Sequence, residues 1–153
     1  MTSFERDNYS VETLAEEGIT IQFRAYRGLV YVAAPVDVKY QTMNIYVPEA
    51  YYHGQAVGQY TAGTAPVFMP NTVGGYMPGL PEEPGINKHT GKINAAFAAL
   101  ARGYVVAAPG ARGRGLTDGN GRYTGTAPAC IVDLKAAVRY LRWISDELPG
   151  DTE

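Results

Sequence analysis

Serine is scarce in this chain, standing at only three positions, Ser3, Ser10 and Ser145. Cysteine occurs once, as Cys130, which excludes a disulfide within the chain. No apolar run approaches the roughly 20 residues of a membrane-spanning helix. The net charge is −2, so there is no electrostatic case for nucleic acid or for an anionic membrane surface. The first seven residues carry neither the basic nor the apolar region of a signal peptide. A cytoplasmic location is therefore expected; the alternative is a secreted protein from which a signal peptide has been removed.

What is present suits a globular domain. Apolar residues make up 46% and charged residues 18%, a balance that excludes a disordered chain. With 153 residues, one domain with a real core is expected. Glycine occurs 18 times and proline 10 times, which implies many tight connections. Twelve tyrosines suffice to line a site, although strand faces are their commoner place. There is no internal repeat, low-complexity tract or domain linker.

The chain opens on a polar, acidic stretch, and Val11 to Glu17 suits one or two helical turns. Ile19 to Tyr26 alternates apolar with polar, the mark of a half-exposed strand. Gly28 breaks it, Leu29 to Ala33 gives a second strand and Met43 to Val47 a third. Closeness in sequence makes these an antiparallel meander. A tyrosine-bearing loop over residues 49–64 leads to a short apolar run, Val67-Phe68-Met69, closed by Pro70. Without polar alternation it reads as a covered strand.

A long loop over residues 77–91 precedes a helix from about Lys92 to Arg102. Ile93, Ala96, Phe97 and Leu100 share one face of it; Thr90 suits its N-cap and Gly103 its left-handed stop. Tyr104 to Ala108 reads as a buried strand. Strand, helix, strand predicts a right-handed crossover onto a parallel neighbour. After a glycine-rich loop over 109–127, a second helix is expected from Pro128 to Ser145, capped by Thr126. Its buried face is expected to hold Ile131, Leu134, Val138 and Leu141.

The residue pattern that carries most chemistry is Asn71-Thr72-Val73-Gly74-Gly75-Tyr76-Met77-Pro78-Gly79. A buried strand that opens into Gly74 and Gly75 presents amides with no side chain over them. Such a turn either aims those amides at developing negative charge or simply reverses the chain; Val73 or Tyr76 shares the donor role in the first case. Tyr76 either packs beside an aromatic acyl group or is structural. Arg112 either holds its loop through carbonyls or meets substrate. Gly110, Gly113 and Gly115 do not fit G-x-G-x-x-G, so no dinucleotide is expected. Asp118-Gly119-Asn120-Gly121 lacks the later acidic ligand of a calcium loop and reads as a turn. His53 and His89 read as surface residues, and Cys130 as core.

Four segments together carry a resemblance. They are Met43-Asn44-Ile45-Tyr46-Val47-Pro48, the 71–79 pattern above, Ala107-Ala108-Pro109-Gly110-Ala111-Arg112-Gly113-Arg114-Gly115, and Asp133-Leu134-Lys135-Ala136-Ala137-Val138-Arg139-Tyr140-Leu141-Arg142. Over about residues 29–150 the chain resembles the first half of an α/β hydrolase, and more specifically the bacterial tannases and related aromatic-acid esterases. The resemblance implies an α/β fold: an antiparallel start, then parallel strands with crossover helices. Residues 1–153 would be the N-terminal portion of one such domain, with 1–28 an extension or strand.

The resemblance further implies a serine carboxylic-ester hydrolase acting on galloyl or other phenolic esters, without cofactor or metal. Gly74 and Gly75 would give the oxyanion-hole amides, and Tyr76 and Arg112 would line substrate. In that family a Gly-x-Ser-x-Gly elbow follows later in the chain. None of the three serines is so flanked, and no nucleophile, acid or histidine of a triad is expected here. The expected partner is the C-terminal remainder of the same hydrolase, as a second chain. The alternative is a non-catalytic α/β binding module complete in itself.

Overall fold

A computed structural model describes residues 3–153. Met1 and Thr2, the first residues read above for a leader, lie outside the described residues. Strands β1 (Ser10–Glu16), β2 (Ile19–Val30), β3 (Thr42–Pro48), β4 (Val67–Phe68) and β5 (Val105–Pro109) form one sheet in the order β1-β2-β3-β5-β4. Strands β1, β2, β3 and β5 pair antiparallel in turn, whereas β4 pairs parallel with β5. Helix α1 (Ala95–Ala101) connects β4 to β5, so the expected crossover is present. Strands β6 (Leu116–Thr117) and β7 (Tyr123–Gly125) make a small separate ribbon before helix α2 (Ala127–Trp143).

The period of two in β3 and β5 sorts their side chains onto two cores. Met43, Ile45, Val47, Val105 and Ala107 face Ala137, Tyr140, Leu141 and Ile144 on the α2 side. Tyr46, Val106 and Ala108 face Ala96, Ala99 and Leu100 of α1, with Phe23 and Ala25 of β2. One helix thus covers each face of the sheet, which is why the central strands are apolar on both sides. Each fully buried large side chain contributes about 1.5–3 kcal/mol by leaving water.

Several expectations need correction. Val11 to Glu17 is not helical; residues 11–16 lie in β1, each residue of which faces a partner on β2, and Glu17 enters the turn. A two-turn helix on its own is marginal in water, whereas a strand here gains a full ladder. Glu17 and Gly18 both have positive φ, 52° and 75°, as a two-residue type I′ hairpin turn requires. The two strands expected on either side of Gly28 are one strand with an irregularity between Tyr26 and Leu29. There the Gly28 amide donates to Asn44 Oδ1 at 3.0 Å.

Helix α1 is capped by Asn94, whose side chain accepts from the Phe97 amide at 2.9 Å, not by Thr90. Gly103, at φ 93°, does follow its last turn. Thr126 stands at the N-cap of α2 but makes no side-chain cap bond. The buried face of α2 is rotated from the expected one. It presents Cys130, Asp133, Ala137, Tyr140 and Leu141 inward, while Ile131 and Val132 are 59% and 60% exposed. Val138 is exposed too. The helix has apolar residues around most of its circumference, and the sheet occupies only part of it.

Beyond α2 the chain turns back to the sheet. The Gly150 amide donates to the Ala62 carbonyl and the Asp151 amide to that of Ala65, both at 2.7 Å. Asp151 forms a parallel bridge with Pro66, the residue before β4. Asp151 therefore lies alongside the chain at the start of β4, on the side away from β5. Beside it, Val67, Met69, Val138 and Leu141 line a hollow of about 230 Å³. No helix among the described residues is long and apolar enough to cross a membrane.

Candidate functional site

β4 and β5 run parallel, so the loops leaving their C-terminal ends lie side by side. The first loop, residues 69–79, is held at its base. Thr72 Oγ1 donates to the Leu80 carbonyl at 2.6 Å. Gly79 and Ala111 exchange two backbone bonds of 3.0 and 2.9 Å, joining the two loops. At its tip the Met77 amide donates to the Gly74 carbonyl at 3.0 Å. The central residues Gly75 and Tyr76 both have positive φ, 58° and 61°. This is a second mirror-image turn, and here a bulky aromatic occupies a position that favours Gly, Asn or Asp.

That placement strains the backbone. A non-glycine residue in the left-handed region costs about 1–2 kcal/mol, and such strain persists only where surrounding contacts fix it. The Arg114 amide supplies one such contact, donating to the Tyr76 carbonyl at 2.7 Å. Close packing supplies another: a Cβ on Gly113 would collide with the backbone of Tyr76, Met77 and Pro78. No larger residue fits there without displacing the turn. Among the described residues, the amides of Val73, Gly74, Gly75 and Tyr76 donate to no protein acceptor. Gly74, Gly75 and Tyr76 are exposed. The turn therefore offers consecutive amide donors to whatever approaches it.

Arg112 sits elsewhere. Its Nε and Nη2 donate to Asp133 Oδ2 and Oδ1 at 3.0 and 2.9 Å, a two-pronged pair with α2. Its Nη1 donates to the Thr124 carbonyl at 3.1 Å, and its amide to Asp133 Oδ2 at 2.9 Å. Asp133, 1% exposed, also accepts from Gln41 Nε2 at 2.9 Å. Gln41 Oε1 in turn accepts from the amides of Val36 and Asp37. Asp133 holds the Arg112 guanidinium above its ordinary pKa, chiefly through these hydrogen bonds. The Tyr31 hydroxyl donates to the Gly110 carbonyl at 2.7 Å, and burial pushes its pKa up. Arg112 thus anchors the second loop to α2, while the neighbouring Ala111, Gly113 and Arg114 touch the first.

The other candidates behave as ordinary structure. Asp118 Oδ1 accepts from the amides of Asn120 and Arg122, both at 2.9 Å, closing a turn. His53 lies 3.2 Å from Glu49 at the opposite end of the sheet, and His89 is exposed. Cys130 is buried, and burial, then the nearby Asp133, raises its thiol pKa. That keeps it protonated and a poor nucleophile. No group of three or more potential metal ligands occurs among the described residues. Nothing in the local sequence pattern assigns a role to Asp133, Gln41, Gly113 or Arg114. Only the adjacent glycines in the 110–115 loop hinted at a close backbone approach.

Neither models of protein families nor curated proteins match the chain. Solved structures do. Fusobacterium nucleatum tannase is 51% identical, with a TM-score of 0.93 over 97% of this chain and 31% of its own. The tannase from Lactobacillus plantarum is 44% identical, with a TM-score of 0.88 over 97% of this chain and 32% of its own. A tannin acyl hydrolase in complex with ethyl gallate is likewise 44% identical, with a TM-score of 0.88 over 97% of this chain and 33% of its own. The chain spans about a third of the length of these proteins. Along nearly all of its length it repeats the backbone course and about half of the residues of a tannase segment: this is a tannase-like chain.

Proposed function

We propose that the chain is the N-terminal portion of an α/β-hydrolase-fold serine ester hydrolase and supplies its oxyanion loop. The substrate class is a phenolic ester. The observation that carries this is the 74–77 turn: consecutive free amides, held in a strained conformation, at the C-terminal end of a parallel strand. Attack on an ester carbonyl places negative charge on its oxygen, and preorganised amides stabilise that charge best in the transition state. The amides of Gly74 and Gly75 are the donors in this reading, and Tyr76 packs beside the aromatic acyl group. Related proteins 44% identical to the chain were solved with 3,4-dihydroxybenzoate and with ethyl gallate, which supports an aromatic acyl group.

The nucleophile, acid and histidine come from a C-terminal remainder of the same hydrolase, bound as a second chain. Two features support this. The apolar residues Ile131, Val132 and Val138 of α2 face outward. The edge of β4 lies open beyond the single bridge at Asp151, a ready template for a parallel neighbour.

The test is reconstitution. The chain is mixed or co-expressed with the complementary part of a tannase, and hydrolysis of methyl gallate is followed. The chain alone should be inactive and the pair active. Esterase activity from the chain alone, or an assembled pair without activity, would defeat the proposal.

A further inference from the structure

Arg112 and Arg114 are two residues apart and differ completely in their surroundings. The four arginines found in ion pairs are Arg6, Arg24, Arg27 and Arg112. Among the described residues the Arg114 guanidinium has neither an ion-pair nor a hydrogen-bond partner. Its Nη2 stands 3.8 Å from where a Cβ on Gly75 would lie, while its own amide fixes the Tyr76 carbonyl. An exposed, unpaired cation thus lies near a turn whose Gly75 and Tyr76 amides are also unpaired. Guanidinium donors form a planar fork that matches a carboxylate.

We propose that Arg114, with the amides of Gly75 and Tyr76, forms a carboxylate site that retains the acid product of ester cleavage. The inference rests on the oxyanion reading of this turn and assigns the charged member of the cradle. Ester hydrolysis at neutral pH yields an alcohol and a carboxylate. The carboxylate bears its charge where the transition-state oxygen stood, so a cation beside the amides favours product as well as transition state. Arg114 is then a specificity and product-retention residue, distinct from the anchoring Arg112.

The experiment is a heteronuclear NMR titration of the complete chain with benzoate, and with benzamide as a neutral probe of the same shape. Benzoate should shift the amide resonances of Gly75 and Tyr76, and benzamide should leave them in place. Arg114→Gln should weaken benzoate at least about tenfold, since a hydrogen bond to a charged group is being lost, and Arg114→Lys should restore part of the affinity. Salt should weaken the wild type more than Arg114→Gln. Because the side chain is exposed and unpartnered, both variants should melt with the wild type. Equal benzoate affinity in wild type and Arg114→Gln would overturn the role of Arg114 while leaving the amide cradle intact. No benzoate shift at residues 73–76 in the wild type would remove both the carboxylate site and the cradle.

Discussion

The two loops that leave β4 and β5 are neighbours built on opposite plans. The 110–115 loop is fixed by the buried Arg112–Asp133 pair, by Gln41 and by Tyr31. The 71–77 segment has few bonds of its own, a strained Tyr76 and amides left open. The rigid loop holds the open one in place, through the Gly79–Ala111 exchange and the bond from the Arg114 amide to the Tyr76 carbonyl. The amides of residues 73–76 stay free because the turn is fixed by one internal bond, from the Met77 amide to the Gly74 carbonyl, and by contacts from its neighbour.

Removing the anchor should have the largest effect. Asp133→Ala leaves the Arg112 guanidinium, the Arg112 amide and Gln41 Nε2 without their acceptor. Breaking one side of a buried pair costs about 3–5 kcal/mol, so denaturant unfolding should show a loss of that size. Retention of wild-type stability would mean that the second loop is not anchored there. Gly113→Ala attacks the contact between the loops, since the atoms nearest its Cβ are backbone atoms of residues 76–78. Overpacking of this kind costs about 1–3 kcal/mol. The amide resonances of residues 74–77 should move while those of β1 and β2 stay in place.

Thr72→Val removes the hydroxyl that donates to the Leu80 carbonyl at 2.6 Å. A loss of about 0.5–1.5 kcal/mol is expected, together with faster hydrogen exchange across residues 72–80. The smallest effect is also the most diagnostic. Tyr76→Gly relieves about 1–2 kcal/mol of left-handed strain, offset by the roughly 0.5–1 kcal/mol of extra chain entropy that glycine loses on folding. The variant should be more stable by about 0.5 kcal/mol, yet less active toward phenolic esters in the reconstituted enzyme. Loss of both stability and activity would make Tyr76 a plain structural residue.

Much of the fold was legible because its signals are local. Met43 to Val47 and Tyr104 to Ala108 read as strands from their apolar runs, and β4–α1–β5 followed as a crossover. The misreadings have a common physical cause. The acidic stretch from Val11 to Glu17 carries helix-forming residues, and only pairing with β2 decides for a strand. The α2 helix is apolar on more than one side, so periodicity alone did not say which side meets the sheet. The 71–79 pattern is legible through its glycines. Asp133 gave no such signal, because its partners Arg112 and Gln41 lie 21 and 92 residues away.

By itself the sequence determined that β3, β4 and β5 are strands and that helices precede and follow β5, where tight turns must fall, and that residues 74–75 carry amides bare of side chains. These follow from side-chain shape and short-range periodicity. Tertiary structure alone decided that Arg112 is bound to Asp133 while Arg114 stands over Gly75, and that Tyr76 takes a left-handed backbone. Both outcomes depend on two loops brought together by the parallel pairing of β4 and β5. Contacts between segments distant along the chain leave no mark on the local pattern of either one.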